Sequence, residues 1–322
     1  MSNSVPTTNL AIIGAGLAGC SMAYFAQKQG VSAILLDKSR GTGGRAGSKR
    51  LDNGSVELGA SIISFHDPNL MTLRDTLLNE NVLASWQSGH VGVPRMSSIT
   101  RFLAGDTPLM TQNRVQHLEQ QNGLWLLRDD SYQPILKAQT VAIATPATQA
   151  AMLLATVPNC PNLLLNANQS SSATQPQWSM WLKTVKSDQP PLQLLPNNIL
   201  QTLIKDSDKP QRYQDDQDTW VIQSTPLWSK QHIDEDKAKV QTAMIEAFQS
   251  VTGLQALEQG EPHRWLLGRQ AVVTSDKPFL YDAPLKLIVI GDWLCQGDGE
   301  GAVLSAKFAA DALFQNGSLL SN

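Results

Sequence analysis

The sequence predicts an α/β fold in two domains, a Rossmann-type nucleotide-binding domain and a second domain built on an antiparallel sheet. Three observations lead there. Residues 10–45 read as apolar strand, glycine fingerprint, helix, second apolar strand and second glycine cluster. Residues 286–313 repeat the strand, glycine turn and helix toward the other end of the chain. Between them, from about residue 146 to 270, the β-prone runs WSMWLKTV and TWVIQS stand among stretches crowded with Asn, Gln, Ser and Pro. Such a middle suits antiparallel strands with long connections.

The first run can be taken residue by residue. Leu10, Ala11, Ile12 and Ile13 are continuously apolar, as a parallel strand covered on both faces is. Gly14, Gly16 and Gly19 follow at the G-x-G-x-x-G spacing of dinucleotide-binding turns. Gly14 permits the tight turn and Gly16 lets the backbone approach a pyrophosphate. Gly19 lets a helix from about Leu17 to Gln29 pack closely on the sheet, its first amides toward the anion. Gly30 caps that helix, Val31 to Leu36 form the second strand, and Asp37 arrives eighteen residues after Gly19, near the usual offset for a carboxylate on a ribose hydroxyl.

In the next segment Gly41, Gly43, Gly44 and Gly47 alternate with Lys38, Arg40, Arg45, Lys49 and Arg50. Five positive charges on so permissive a backbone can wrap a pyrophosphate and a cofactor edge; a solvated basic loop is the plainer alternative. SVELGA at 55–60 reads as a short strand whose Gly59 and Ala60 allow close approach to a planar ring. Leu70, Leu73, Leu77 and Leu78, after Pro68, predict a scaffold helix over 68–83. Residues 89–104 read as an extended stretch and a helix from Ser97, where Arg95, Ser97 and Ser98 face a ligand or merely cap.

Strands are expected over Arg114–Leu118, which contains Val115, over Leu124–Leu127 and over Thr140–Ala144, forming a small antiparallel flap that returns to the main body. A helix follows over Ala147–Leu154. Residues 158–177 and 187–218 read as polar connections, and Asp234–Gln249 as a helix. Trp178, Trp181, Trp220, Trp228 and Trp265 fall in or near the middle strands, where they serve either as core or as an apolar lid over a flat substrate. His263, Arg264 and Trp265 form a dense triplet near the return to the main body, either a salt-bridged scaffold or a substrate border.

The last run has Leu287 to Ile290 as a buried strand, then Gly291, Asp292, a glycine-rich loop and a helix opened by Gly301. Asp292 can accept a hydrogen bond from a ribityl hydroxyl, and the amides of Gly301, Ala302 and Val303 can approach a flavin pyrimidine carbonyl. A second site of this kind favours a flavin dinucleotide over a nicotinamide one.

Composition bounds the partners. A chain of 322 residues can bury two cores. A net charge of -3 and a pI near 5.9, with no broad basic stretch, set nucleic acid aside. Cys20, Cys160 and Cys295 are odd in number and far apart, unlike a disulfide framework or metal site. No H-x-x-x-H, C-x-x-C or spaced carboxylate set points to a metal. Neither a signal peptide nor a membrane span is expected, so a cytoplasmic monomer or weak homodimer is the default.

The segments IIGAGLAG (12–19), DKSRGTGGRAGSKR (37–50), VGVPRMSSITRFLAG (91–105), HRW (263–265) and GDWLCQGDGEGAVLSAKFAA (291–310) resemble the FAD-dependent amine-oxidase-like superfamily, and most closely its bacterial renalase-like branch. The resemblance implies noncovalent FAD in a p-hydroxybenzoate-hydroxylase-like two-domain arrangement. It implies oxidation of 2- or 6-dihydro isomers of NAD(P) to NAD(P)+ by hydride transfer to flavin N5, with O2 reoxidising the flavin to give hydrogen peroxide. It assigns Gly14, Gly16, Gly19, Asp37, Lys38, Arg45, Asp292 and Val303 to the cofactor. The expected cofactor set also holds Ala18, Gly44, Gly59, Ala60, Val115, Glu300 and Gly301. His263, Arg264, Trp265, Trp178 and Trp228 are the expected substrate-side set.

Three positions depart from the family pattern: Ala46 stands for a methionine, Leu266–Leu267 for Arg-Tyr, and Asp298–Gly299 for Arg-Val. The last two bear on the substrate pocket. The expected division gives 1–65, 101–146 and 271–322 to the FAD-binding domain and 66–100 with 147–270 to the substrate domain. Loss of hydride from a dihydronicotinamide needs orientation and water exclusion rather than a base, which suits a chain with no evident catalytic dyad. The alternatives are a flavin amine oxidase, a dehydrogenase of another small cyclic reduced substrate, and an FAD-binding sensor with little turnover.

Overall fold

The apolar run at the start becomes the strand Thr7–Ile13, at the centre of the larger sheet of a computed structural model that describes residues 5–195, 198–273 and 275–314. It pairs in parallel with Ala33–Leu36 on one side and Pro134–Ile143 on the other. Leu109–Met110 extends the sheet beyond Ala33–Leu36, and Leu287–Val289 beyond Pro134–Ile143, both in parallel. Leu280–Asp282 closes one edge antiparallel. Residues 1–4 and 315–322 of the expected first and last segments lie outside the described residues.

Both faces of this sheet are covered, which is why its strands are apolar throughout. Leu10, Ile12 and Leu35 face the helices Leu17–Lys28 and Gly299–Phe314. Ala11, Ile13 and Leu36 face the helices Ala147–Leu154 and Pro161–Ser172. Truncating a fully buried leucine such as Leu35 to alanine costs about 2–5 kcal/mol in such a core.

The second sheet orders Leu192–Leu194, Leu200–Lys205, Gln217–Ser224, Thr174–Val185 and Glu258–Gln259, with His263–Gln270 also on Thr174–Val185, and its pairs are antiparallel. Alternation along its strands sorts the side chains. Trp178, Met180, Leu182, Trp220 and Ile222 pack with Val240, Met244 and Phe248 of the helix Lys237–Thr252. Their neighbours Gln177, Trp181, Val221 and Gln223 occupy the opposite face. Among residues 66–100, the helix Met71–Asn79 precedes the hairpin Leu83–Trp86 and Gly89–Gly92.

Several expectations are corrected. The polar run at 158–177 holds the helix Pro161–Ser172, whose thin stripe of Leu163, Ala167 and Ser170 is buried. Residues 187–218 hold the strands Leu192–Leu194 and Leu200–Lys205. Trp228 lies on the helix Pro226–Gln231, which Thr225 caps by accepting from the Trp228 amide and which Pro226 starts. The strand expected over Arg114–Leu118 runs over His117–Gln121 instead, paired with Leu124–Arg128. In the SVELGA run only Ser55–Val56 is strand, because the chain bends there to bring Gly59 and Ala60 against Arg45. The helix expected from Pro68 to Leu83 ends at Asn79.

Candidate functional site

A cleft of about 1290 Å³ runs from the first glycine turn to the antiparallel sheet. Single-ligand pockets span about 300–1,000 Å³, so it has room for a cofactor and a substrate. At the glycine-turn end the helix Leu17–Lys28 starts at Gly16, and no side chain caps its first turn. Gly19 lets this helix approach the turn: a Cβ there would stand 1.8 Å from the Gly14 carbonyl oxygen. A Cβ at Gly16 would meet no atom within 4 Å, so its missing side chain leaves a hollow beside the uncapped amides.

Asp37 ends the second strand and holds this turn. Its Oδ2 accepts from the Ala15 amide at 2.7 Å and its Oδ1 from the Ser39 amide at 2.7 Å. A carboxylate has further lone pairs for a ribose hydroxyl. Gly14, Ala18, Lys38 and Val115 border the same end of the cleft.

Farther along, Arg45 Nη2 meets Asp292 Oδ1 at 2.6 Å, joining the two glycine-rich segments. Gly59 and Ala60 fit against the Gly44–Ala46 turn, with the Ala60 amide donating to the Arg45 carbonyl at 2.8 Å. A Cβ at Gly59 would lie 2.0 Å from that oxygen and 3.2 Å from the Trp265 ring. Gly44, Arg45, Gly59, Ala60 and Asp292 all line the cleft.

The last helix differs from expectation. Glu300 is buried and does not border the cleft, and its carboxylate anchors the helix by accepting from Ser64 Oγ and the Asp67 amide, each at 2.7 Å. The Gly301 amide donates to Asp298 Oδ1 at 2.8 Å, and Val303 is fully buried in the core. The cleft is bordered by the expected Ala302 and by Gly297, Asp298 and Gly299. Burial pushes the Asp298 carboxyl above its usual range, against the opposing hydrogen bond from Gly301. That bond occupies an amide expected at a flavin carbonyl.

At the sheet end, His263 and Trp265 line the cleft with rings in edge contact at 4.4 Å, and Trp265 Nε1 donates to the Leu58 carbonyl at 3.1 Å. Burial, followed by the charges of Lys49 and Lys237, lowers the His263 pKa. Arg264 borders the cleft, but its guanidinium turns to the Ile233 carbonyl at 2.7 Å and to Asp234 at 3.5 Å.

Trp178 and Trp228 do not border the cleft. Strand alternation puts Trp178 on the helix-covered face, where its Nε1 donates to the His232 carbonyl at 3.1 Å. Trp228 stacks on His232 with ring centroids 4.4 Å apart. Gln177, Gln223 and Arg269 of this sheet face the cleft in their place. Alternation in WSMW and WVIQ is the signal that marks the two glutamines; nothing local marks Arg269.

Behind the cleft lies a buried ionic cluster with no sequence signal. Lys209 Nζ meets Glu57 at 2.8 Å and Asp206 at 2.5 Å, and Arg212 Nη2 meets Glu57 at 3.0 Å. Burial pushes both carboxyls up; Lys209 and Arg212 overcome it at Glu57, which is held below its usual range, while Asp206 stays raised. Glu57 also accepts from the Met96 amide at 3.2 Å and from Ser48 Oγ at 3.1 Å. The cluster thus ties the second domain to the chain around the Arg45 turn. Removing one partner of so buried a set costs about 3–5 kcal/mol.

Among the described residues no group of three or more His, Cys, Asp or Glu is placed to hold a metal, and no helix is long and apolar enough to cross a membrane. A family model described as an NAD(P)-binding Rossmann-like domain matches residues 12–77. Solved structures match across almost the whole chain. A protein of Exiguobacterium sp. 255-15, named as a candidate protoporphyrinogen oxidase, superposes with a TM-score of 0.73 at 11% identity over 97% of this chain and 100% of its own. Putrescine oxidase bound to putrescine gives 0.69 at 11% identity over 97% and 100%. Cyclohexylamine oxidase from Brevibacterium oxydans IH-35A gives 0.67 at 13% identity over 97% and 99%. At these identities the likeness is one of fold, and the chain shares the two-domain α/β architecture of these structures, with a Rossmann-like domain and a second sheet domain.

Proposed function

We propose that this protein is an FAD-dependent oxidase or dehydrogenase that removes a hydride from a small organic substrate held between the nucleotide-binding domain and the antiparallel sheet. The observation that carries the reading is the continuity of the cleft from Gly16, past Arg45–Asp292, to Trp265 and Gln223. FAD fits on the hollow at Gly16: a dinucleotide phosphate beside the uncapped amides fills space that any side chain there would occupy. Gly14, Gly16, Ala18, Asp37, Lys38 and Arg45 would hold the nucleotide half, and Gly59, Ala60 and Asp292 the flavin half.

FAD, when bound, supplies a two-electron acceptor that O2 can reoxidise. The chain's own part is to orient the substrate and exclude water. Trp265, packed on Gly59 and tied to the Leu58 carbonyl, makes an apolar wall, and Gln177 and Gln223 present buried amides. None of the expected triplet forms a base paired with an orienting carboxylate, in keeping with hydride loss driven by a nitrogen lone pair on the substrate.

Two substrate classes follow from that requirement. Amines and small cyclic reduced compounds are supported by the fold shared with putrescine oxidase and cyclohexylamine oxidase. The 2- and 6-dihydro isomers of NAD(P) are supported by the renalase-like motifs and by a cleft larger than one ligand needs. The test is anaerobic mixing of the yellow protein with putrescine, cyclohexylamine and each dihydronicotinamide isomer. Bleaching of the flavin band by one class selects it. A correctly folded protein that retains no FAD sinks the whole proposal before any substrate is tried.

A further inference from the structure

Besides Arg114, which meets no carboxylate among the described residues, the arginines of the cleft differ in how their charge is met. Arg45 has Asp292, and Arg264 has Asp234 and the Ile233 carbonyl. Arg269 has only neutral amides: its Nε donates to Gln177 Oε1 at 3.1 Å and its Nη2 to Gln223 Oε1 at 3.4 Å. Among the described residues no carboxylate lies within ion-pair distance of it. Burial alone lowers its pKa, with no acidic neighbour to oppose the shift.

The surroundings hold this guanidinium in place. Gln177 and Gln223 are buried, and each spends its amide nitrogen on the main chain: Gln177 on the Ser224 carbonyl at 3.0 Å, Gln223 on the Gly59 carbonyl at 2.7 Å. Both amide oxygens therefore turn toward Arg269. The strand His263–Gln270 bulges here, since Gln177 pairs with Trp265 while Gln175 pairs with Arg269. Bulges re-aim side chains at the edges of sites. Gly268 lies in the bulge, where a Cβ would stand 3.1 Å from the Cβ atoms of Gln177 and Trp265 and need them to give by a few tenths of an ångström.

We propose that Arg269, aimed by Gln177 and Gln223, is the subsite that recognises an oxyanion, carboxylate or phosphate, carried by the substrate. A partly desolvated guanidinium with free donors gains most from a charged oxygen acceptor, which its planar fork can engage with two parallel hydrogen bonds. The hydrogen bond from Gln223 to Gly59 places the subsite next to the wall on which the substrate ring would lie. A substrate whose only charge is an ammonium is repelled there. The inference rests on the reading that FAD and substrate share this cleft, and it narrows the substrate to an anion-bearing one.

The test uses the FAD-loaded protein and matched probes read by the visible flavin spectrum: benzoate against benzamide, nicotinate against nicotinamide, and nicotinamide mononucleotide for the phosphate. Tenfold or tighter binding of an oxyanion probe over its neutral partner is expected, and the arm that binds identifies carboxylate or phosphate. Arg269→Gln should lose at least tenfold in affinity for that probe with benzamide binding unchanged, and Arg269→Lys should fall between. The comparison within the unmodified protein does not depend on how the variants fold. Equal binding of charged and neutral probes, or an Arg269→Gln protein that binds the oxyanion as the parent does, overturns the subsite while leaving the FAD reading intact. Failure to retain FAD, seen before any probe is added, overturns both.

Discussion

At one end of the chain the strand Thr7–Ile13 runs into Gly14, Gly16 and the helix Leu17–Lys28; at the other, Leu287–Val289 runs into Gly291, Gly297 and the helix Gly299–Phe314. The two lie parallel in one sheet with Pro134–Ile143 between them. The first helix has no side-chain cap and opens on a hollow at Gly16. The second is capped: Asp298 takes the Gly301 amide, while the Glu300 carboxylate anchors the helix by accepting from Ser64 and Asp67. A strand, a glycine turn and a helix make a ligand site only where the first-turn amides are left without an internal acceptor.

The sharpest way to break the comparison is through what the two devices share. A side chain at Gly19 would meet the Gly14 carbonyl oxygen at 1.8 Å, and one at Gly301 the Cys295 carbonyl oxygen at 1.6 Å. Gly19→Val and Gly301→Val should each lose about 3 kcal/mol of stability or more in urea unfolding. Tolerance of either would mean that its helix does not approach its turn this closely.

The other substitutions separate the two ends. Glu300→Ala leaves the Asp67 amide without its acceptor and should lose about 1–3 kcal/mol of stability, with little effect on FAD binding. Gly16→Val should do the reverse: FAD affinity, followed by flavin fluorescence, falls tenfold or more, about 1.4 kcal/mol, while the urea midpoint stays in place. An unchanged affinity would remove the hollow from the account of the cofactor site.

The smallest effect is expected at Asp298. Asp298→Ala should lose about 1 kcal/mol as a lost helix cap. Its carboxyl is raised in the folded protein, chiefly by burial. The folded chain therefore holds that proton more tightly than the unfolded one, and the contribution to stability declines as pH rises from the ordinary aspartate value of 3.8 upward. Asp298→Asn keeps a capping oxygen and removes the titration, so thermal denaturation across that range should show a flatter pH profile than the parent. Identical profiles would mean that Asp298 is as well hydrated as a surface carboxylate.

The first strand, glycine turn and helix were legible because each part is written in adjacent residues. Apolar runs make covered strands, glycine spacing makes the turn, and Asp37 sits where the second strand ends. The helix Ala147–Leu154 was legible for the same reason. The helix Pro161–Ser172 was not, because a stripe of Leu163, Ala167 and Ser170 is too thin to stand out from its polar neighbours. The aromatic residues misled in one direction. Trp178 and Trp228 drew notice by size, whereas size favours burial, and the strand's alternation turned the smaller Gln177 to the cleft instead.

The sequence by itself determined the doubly covered parallel strands, the uncapped first helix and the pairing of glycine-rich segments at both ends, since these follow from local sterics and from apolar periodicity. Tertiary structure alone decided which charges meet: Arg45 with Asp292, Glu57 with Lys209 and Arg212, and Arg269 with no acid among the described residues. Ion pairing depends on which side chains the fold brings within a few ångströms, and no local pattern encodes a contact between strands far apart in the chain. The same holds for the second glycine device, whose Gly301 amide is taken by its own Asp298 and whose Glu300 is anchored by a loop more than two hundred residues upstream.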